Sequence, residues 1–189
     1  AILEACADAA RCWQAGHSFL LVNGSTAGIQ AMMLWAAMQQ RAVLLPRDCH
    51  SSAVYACALA GIQPVWLDPV WNGTEQLTQW RPDNLSLLPQ GKSALFLTYP
   101  DYYGRCVDIA GIKRHIECRD TRLLADSAHG SHFVFSEMLP ADAGVAADAW
   151  VSGAHKTLPA PTQTAFLHVR DGRAAPDLGR LLRGVTTTS

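Results

Sequence analysis

Of the three lysines in this chain, one stands where an amine could do chemistry. Lys92 lies in the polar turn Pro89-Gln90-Gly91-Lys92-Ser93, and Lys113 in the charged stretch Ile112-Lys113-Arg114-His115-Ile116-Glu117, so both read as solvated. Lys156 sits in Ser152-Gly153-Ala154-His155-Lys156-Thr157-Leu158-Pro159-Ala160, after the apolar run 146–151 and with almost no acidic neighbour. An amine held in apolar surroundings gives up its proton more easily than one in water, which is what a nucleophile forming a carbon–nitrogen double bond needs. The same placement also suits a lysine that snorkels away from the end of a strand.

A second group is Asp126, which closes an apolar strand and is followed by Ser127-Ala128-His129-Gly130-Ser131-His132. A carboxylate at a strand end either caps the following turn or faces a cation, because burial without a partner is costly. Asp126, His129 and His132 are of the right type for zinc or iron. Alternatively, Asp126 is the anionic partner of a pyridinium nitrogen, with His129 beside the same ring. A third group lies upstream, where a short apolar run at 18–22 enters Asn23-Gly24-Ser25-Thr26-Ala27-Gly28 and then a helical composition over 29–40. Strand, small-residue turn and helix make an anion cradle from backbone N–H groups, with Ser25 and Thr26 as added donors. The competing reading is an ordinary helix cap by Ser25 or Thr26. The turn lacks the Gly-Lys-Ser/Thr ending and the full G-x-G-x-x-G fingerprint.

The elements that must position these groups alternate along the chain. Strands are expected at 18–22, 42–45, 64–67, 94–98, 123–125, 149–151 and 163–169, the last antiparallel or at an edge. Helices are expected at 1–14, 29–40, 53–60, 109–118 and 178–183, with a further one around 75–80 inside an irregular stretch. This is an α/β chain with a mainly parallel (mixed) sheet sandwiched by helices, and in such sheets ligands bind at the carboxyl ends of the strands. The suspicious residues fall there, His50 in the turn after the second strand among them.

Composition limits the alternatives. With 189 residues, 49% hydrophobic and 16% charged, the chain can build one sizeable core. A net charge of −1 with dispersed arginines gives no footprint for nucleic acid or a membrane surface. Six cysteines without a C-x-x-C pair encode neither a zinc knuckle nor a dithiol redox site, and fit reduced thiols. No leader or spanning run is visible, so a cytoplasmic chain is expected. The start without methionine and the ending Thr186-Thr187-Thr188-Ser189 suggest a piece of a longer protein.

A hydroxyl-rich helix start, a histidine after the second strand, an aspartate at a strand end and a later lysine are together the working parts of a pyridoxal phosphate site. The chain resembles the large domain of the Orn/Lys/Arg decarboxylases, a family of fold type I pyridoxal phosphate enzymes. The resemblance rests on Val22-Asn23-Gly24-Ser25-Thr26-Ala27-Gly28-Ile29, Arg47-Asp48-Cys49-His50-Ser51-Ser52, Leu97-Thr98-Tyr99-Pro100-Asp101-Tyr102-Tyr103-Gly104, Asp126-Ser127-Ala128-His129-Gly130-Ser131-His132-Phe133, and residues 152–165. It runs from about residue 15 to 170.

The resemblance implies that Lys156 is the Schiff-base lysine, that Asp126 keeps the ring nitrogen protonated and that His50 stacks over the ring. It further implies that Ser25, Thr26, Ser152 and His155 lie on the phosphate side and that His129 lies near the ring hydroxyl. The sequence differs from the family pattern at Ser127 in place of glutamate, Ser51 in place of lysine and Pro161 in place of leucine. By the same resemblance, residues 1–189 are the cofactor-binding large domain of a fragment without an N-terminal segment and a small C-terminal domain. Lysine, arginine or ornithine is then decarboxylated by a homodimer or higher homo-oligomer. No acidic residue stands out as the partner of the substrate's distal cation, which leaves that role to a missing domain or a second subunit. Aminotransferase or lyase chemistry on the same fold remains open, as does inactivity of the fragment alone.

Overall fold

The computed structural model describes residues 1–68, 70–71, 76–77 and 82–186. Its centre is a seven-stranded sheet built from β1 (His17–Leu21), β2 (Ala42–Pro46), β3 (Val65–Leu67), β6 (Ser93–Thr98), β7 (Thr121–Ser127), β8 (Ala149–Ser152) and β9 (Ala165–Val169). The strand order is β1-β9-β8-β7-β6-β2-β3. Strands β2, β3, β6, β7 and β8 run parallel, while β9 is antiparallel to both β8 and β1. The sheet is therefore mixed and mostly parallel, as expected. β9 is antiparallel but interior, because β1 adds outside it and takes the edge. A separate two-stranded ribbon pairs β4 (Val70–Trp71) with β5 (Gln76–Leu77). The helix expected at 75–80 is therefore not formed at Gln76–Leu77, which take extended pairing, and the rest of that stretch lies outside the described residues.

Helices cover both faces: α1 (Ile2–Cys12) and α4 (Ile109–Ile116) on one, α2 (Gly24–Met38), α3 (Ser51–Leu59) and α6 (Ala175–Val185) on the other. The strand sequences explain this. Leu95 and Leu97 of β6 join the core with Ile109, Ile112 and Ile116, whereas Ala94 and Phe96 join the core with Ile29, Met32 and Trp35. A strand that is apolar at four successive positions, as β6 is from Ala94 to Leu97, has both faces to bury, and so needs helices on both sides.

Helix α2 lies against the sheet through a glycine. A Cβ on Gly28 would sit 2.5 Å from Val151 Cγ1 and 2.9 Å from Leu21 Cδ1, so only glycine lets the helix approach this closely. That contact fixes the start of α2 beside the carboxyl ends of β1 and β8. All six cysteines are free thiols. Among the described residues no helix is long and apolar enough to cross a membrane.

Candidate functional site

The carboxyl ends of the parallel strands open into a pocket of about 260 Å3. One end of it is the first turn of α2, where Asn23, Gly24, Ser25 and Thr26 line the wall. The Asn23 side chain at the cap position makes no cap hydrogen bond among the described residues, and the helix's first turn carries no acid. The Ser25 hydroxyl is buried with no hydrogen-bond partner among the described residues, and Ser25 is 8% exposed. A buried hydroxyl normally finds a partner, so this orphan at a helix N-terminus leaves a donor available to an anion. The ordinary-cap reading fails here because the helix begins one residue before Ser25, with Asn23 at the cap position.

Asp126 comes from β7, paired in register with Thr98 and Val151. It is 5% exposed, and its Oδ1 accepts from the Ala128 N–H at 3.1 Å. Burial raises its pKa above the usual carboxylate range, opposed by that hydrogen bond and by the positive fields of Lys156, His50 and His129. A buried carboxylate facing three nitrogen bases is poised to take a cationic partner.

His50 is the N-cap of α3. Its backbone is extended, and Nδ1 accepts from the Ser52 N–H at 3.2 Å while pairing with Ser52 Oγ at 2.8 Å. Accepting a backbone N–H requires a lone pair on Nδ1, which leaves the proton of neutral His50 on Nε2. The cap thus holds the ring by one edge. His155 is fixed similarly: its Nδ1 meets the Thr164 carbonyl at 2.9 Å, and a carbonyl can only accept, so Nδ1 carries a proton.

Lys156 departs from its expected surroundings. The apolar run before it is buried as β8, but the chain then turns at Gly153 into α5 (Ala154–Thr157), a single helical turn that lifts Lys156 to the exposed rim. Its Nζ lies 3.0 Å from His129 Nε2. Gly153 is where the parts meet, since a Cβ there would lie 2.6 Å from the Ala128 carbonyl oxygen and 3.3 Å from both Ser25 Oγ and Lys156 Cδ. Burial pushes the His129 pKa down, assisted by the positive charge of Lys156 and opposed by Asp126.

Ser152 does not line this pocket. It is fully buried, and its Oγ pairs at 2.7 Å with Nε2 of His168, whose Nδ1 pairs at 2.7 Å with Ser18 Oγ. The expectation of a phosphate-side Ser152 is corrected: adjacent strand residues face opposite ways, and at the end of β8 this hydroxyl faces the core. The remaining expected residues, Ser25, Thr26, His50, Asp126, His155 and Lys156, line one pocket, with His129 on Lys156. Among the described residues no three His, Cys, Asp or Glu come together to hold a metal ion, so the metal set of Asp126, His129 and His132 is not assembled.

Gln163 and Ser52 also line the pocket, and neither was singled out from sequence. Gln163 has φ 69°, and its carbonyl accepts the Gly24 N–H at 2.9 Å, tying the loop before β9 to the start of α2. The signal was the Thr162-Gln163-Thr164 segment next to the lysine motif.

The family model for the Orn/Lys/Arg decarboxylase major domain matches residues 1–189. The uncharacterized protein YaaO of Bacillus subtilis is 35% identical over 95% of this chain and 40% of its own length. An arginine decarboxylase of Halalkalibacterium halodurans is 31% identical over 100% of this chain and 40% of its own length. The chain thus spans about 40% of the length of these curated relatives. Among solved structures, lysine decarboxylase A from Pseudomonas aeruginosa superposes with a TM-score of 0.81 at 20% identity, covering 100% of this chain and 29% of that one.

Proposed function

The chain belongs to the Orn/Lys/Arg decarboxylase family, as its major domain, and from that premise we propose that it is the cofactor-binding part of a pyridoxal phosphate-dependent decarboxylase of a basic amino acid. The observation that carries the reading is that the buried Asp126 and the exposed Lys156 open on to the same pocket, which also takes in a helix start whose serine hydroxyl has no partner among the described residues. The residues fit the cofactor. Ser25, Thr26 and the first N–H groups of α2 supply donors for a phosphate, with His155 beside them.

When bound, pyridoxal phosphate supplies an aldehyde for an amine and a ring that draws electrons from the bond to the departing carboxylate. Asp126 would hold a proton on a ring nitrogen, because a buried carboxylate gains from an adjacent cation what it lost in hydration. His50, fixed at the cap of α3, offers a flat face to a ring. Lys156 would be the amine for the aldehyde, and Lys156 or a nearby histidine would return a proton to the carbon that loses carbon dioxide. The exposed setting of Lys156 leaves it room to move between these tasks.

The substrate class follows the relatives, which are named for arginine and lysine. The working enzyme is a cytoplasmic homodimer or higher homo-oligomer whose further segments recognise the distal cation. The test uses the full-length protein loaded with pyridoxal phosphate and given arginine, lysine and ornithine separately, with carbon dioxide and the product amine measured. Release of both from one substrate is expected. A keto acid product without carbon dioxide would mean transamination and overturn the assignment.

A further inference from the structure

The contact between Lys156 Nζ and His129 Nε2, at 3.0 Å, has a chemical direction. An ammonium group only donates, so with Lys156 charged the contact requires a lone pair on His129 Nε2. Of the pocket's candidate bases, His129 is the one in hydrogen-bond contact with Lys156 Nζ among the described residues. Asp126 Oδ1 accepts from Ala128, His50 Nδ1 is held by Ser52, and His155 Nδ1 is turned to the Thr164 carbonyl. Lys156 must lose a proton before its nitrogen can bond to a carbonyl carbon, and the base in contact with Nζ is His129.

We propose that His129 is the base that discharges Lys156 during capture of the cofactor's aldehyde. This rests on the cofactor reading above and goes beyond it by giving loading its own proton acceptor. The balance is that of amine–aldehyde condensation. The extra proton of the ammonium passes to His129 Nε2, the nitrogen–carbon bond forms, and the two hydrogens of the neutral amine leave with the aldehyde oxygen as water. No oxidant or reductant takes part. The groups bearing on His129 are Asp126, which favours its charged form, and Lys156, His50 and His155, which disfavour it. Its partial burial acts the same way as those three, so the imidazole stays a neutral acceptor at neutral pH.

The test is the rate of loading. Full-length protein stripped of cofactor is mixed with pyridoxal phosphate, reduced with borohydride at set times, and the labelled Lys156 peptide is counted by mass spectrometry from acid to alkaline pH. Wild type should load more slowly as pH falls through the His129 titration. His129→Gln, which keeps an acceptor but not a base, should load about 100-fold more slowly at neutral pH, the lower end of general-base effects, yet reach the same final extent. His129→Ala should regain speed when free imidazole is added, a rescue that a purely structural role would not give. Equal rates in wild type and His129→Gln, or no rescue by imidazole, overturn the proposal while leaving Lys156 as the cofactor lysine. A wild-type Lys156 peptide that never becomes labelled overturns the cofactor reading and the proposal with it.

Discussion

His168 should make this fold sensitive to acid, and the size of the effect follows from its surroundings. The ring is fully buried, stacked at 4.9 Å on Trp13 and 5.0 Å on Trp150, with a serine hydroxyl on each nitrogen. Neutral imidazole suits this arrangement, one serine accepting and the other donating. Burial lowers its pKa from 6.5 to about 3. Between those values the unfolded chain binds a proton that the folded chain refuses, so stability falls as pH falls, by about 1.4 kcal/mol per unit. From pH 6.5 to 4.5 the contribution is therefore about 3 kcal/mol, a large share of a typical domain's stability. The comparison is wild type against His168→Gln, which offers polar atoms to both serines without titrating. Urea unfolding followed by tryptophan fluorescence at a series of pH values should show the variant less stable at pH 7, with the gap closing by about 1.4 kcal/mol per unit below 6.5. A gap independent of pH would mean that His168 takes up no proton on unfolding in this range.

Three further outcomes follow from the site and its supports. Ser25→Ala removes a buried hydroxyl that has no partner among the described residues, so unfolding of the cofactor-free protein should change by no more than about 1 kcal/mol while pyridoxal phosphate affinity, read by equilibrium titration, falls about tenfold or more. Asp126→Asn keeps the shape but not the charge, and kcat for decarboxylation should drop by at least about 100-fold with a smaller change in cofactor affinity. Asp142, whose Oδ1 accepts from the Gly144 N–H at 2.7 Å, has its carboxyl pushed up to about 6 by burial. Here the folded state holds the extra proton between pH 3.8 and 6, so stability falls as pH rises through that window. Asp142→Asn should therefore unfold at higher denaturant at pH 7, by about 1–3 kcal/mol, with the advantage gone at pH 3.5.

Much of the pocket was legible because its parts are local. The strand, turn and helix spanning β1 and α2 announce themselves by a change of apolar period, and Asp126 stands out because it ends a run that is otherwise apolar. What the sequence did not reveal depends on contacts between distant segments. The exposure of Lys156 follows from α5 being a single turn, and nothing in Ala154-His155-Lys156-Thr157 announces that length. The family resemblance implied a phosphate-side Ser152, but its direction is set by His168, which lies on an antiparallel neighbour and shares its ring with Ser18 on the edge strand. A histidine in the apolar stretch Ala165-Phe166-Leu167-His168-Val169 was a signal that two polar partners had to exist, though not which ones. Gln163 was hidden for a related reason: its link to Gly24 joins residues far apart in the chain.

The central claim is that one pocket brings Asp126, Lys156 and the start of α2 to a single cofactor. A crystal structure of the full-length protein grown with pyridoxal phosphate tests it most directly. The phosphate is expected on the Ser25 and Thr26 end of α2, the ring beneath His50 with its nitrogen against Asp126, and continuous density from the aldehyde carbon to Lys156 Nζ. A cofactor joined to Lys92 or Lys113, or a ring nitrogen turned away from Asp126, would contradict it.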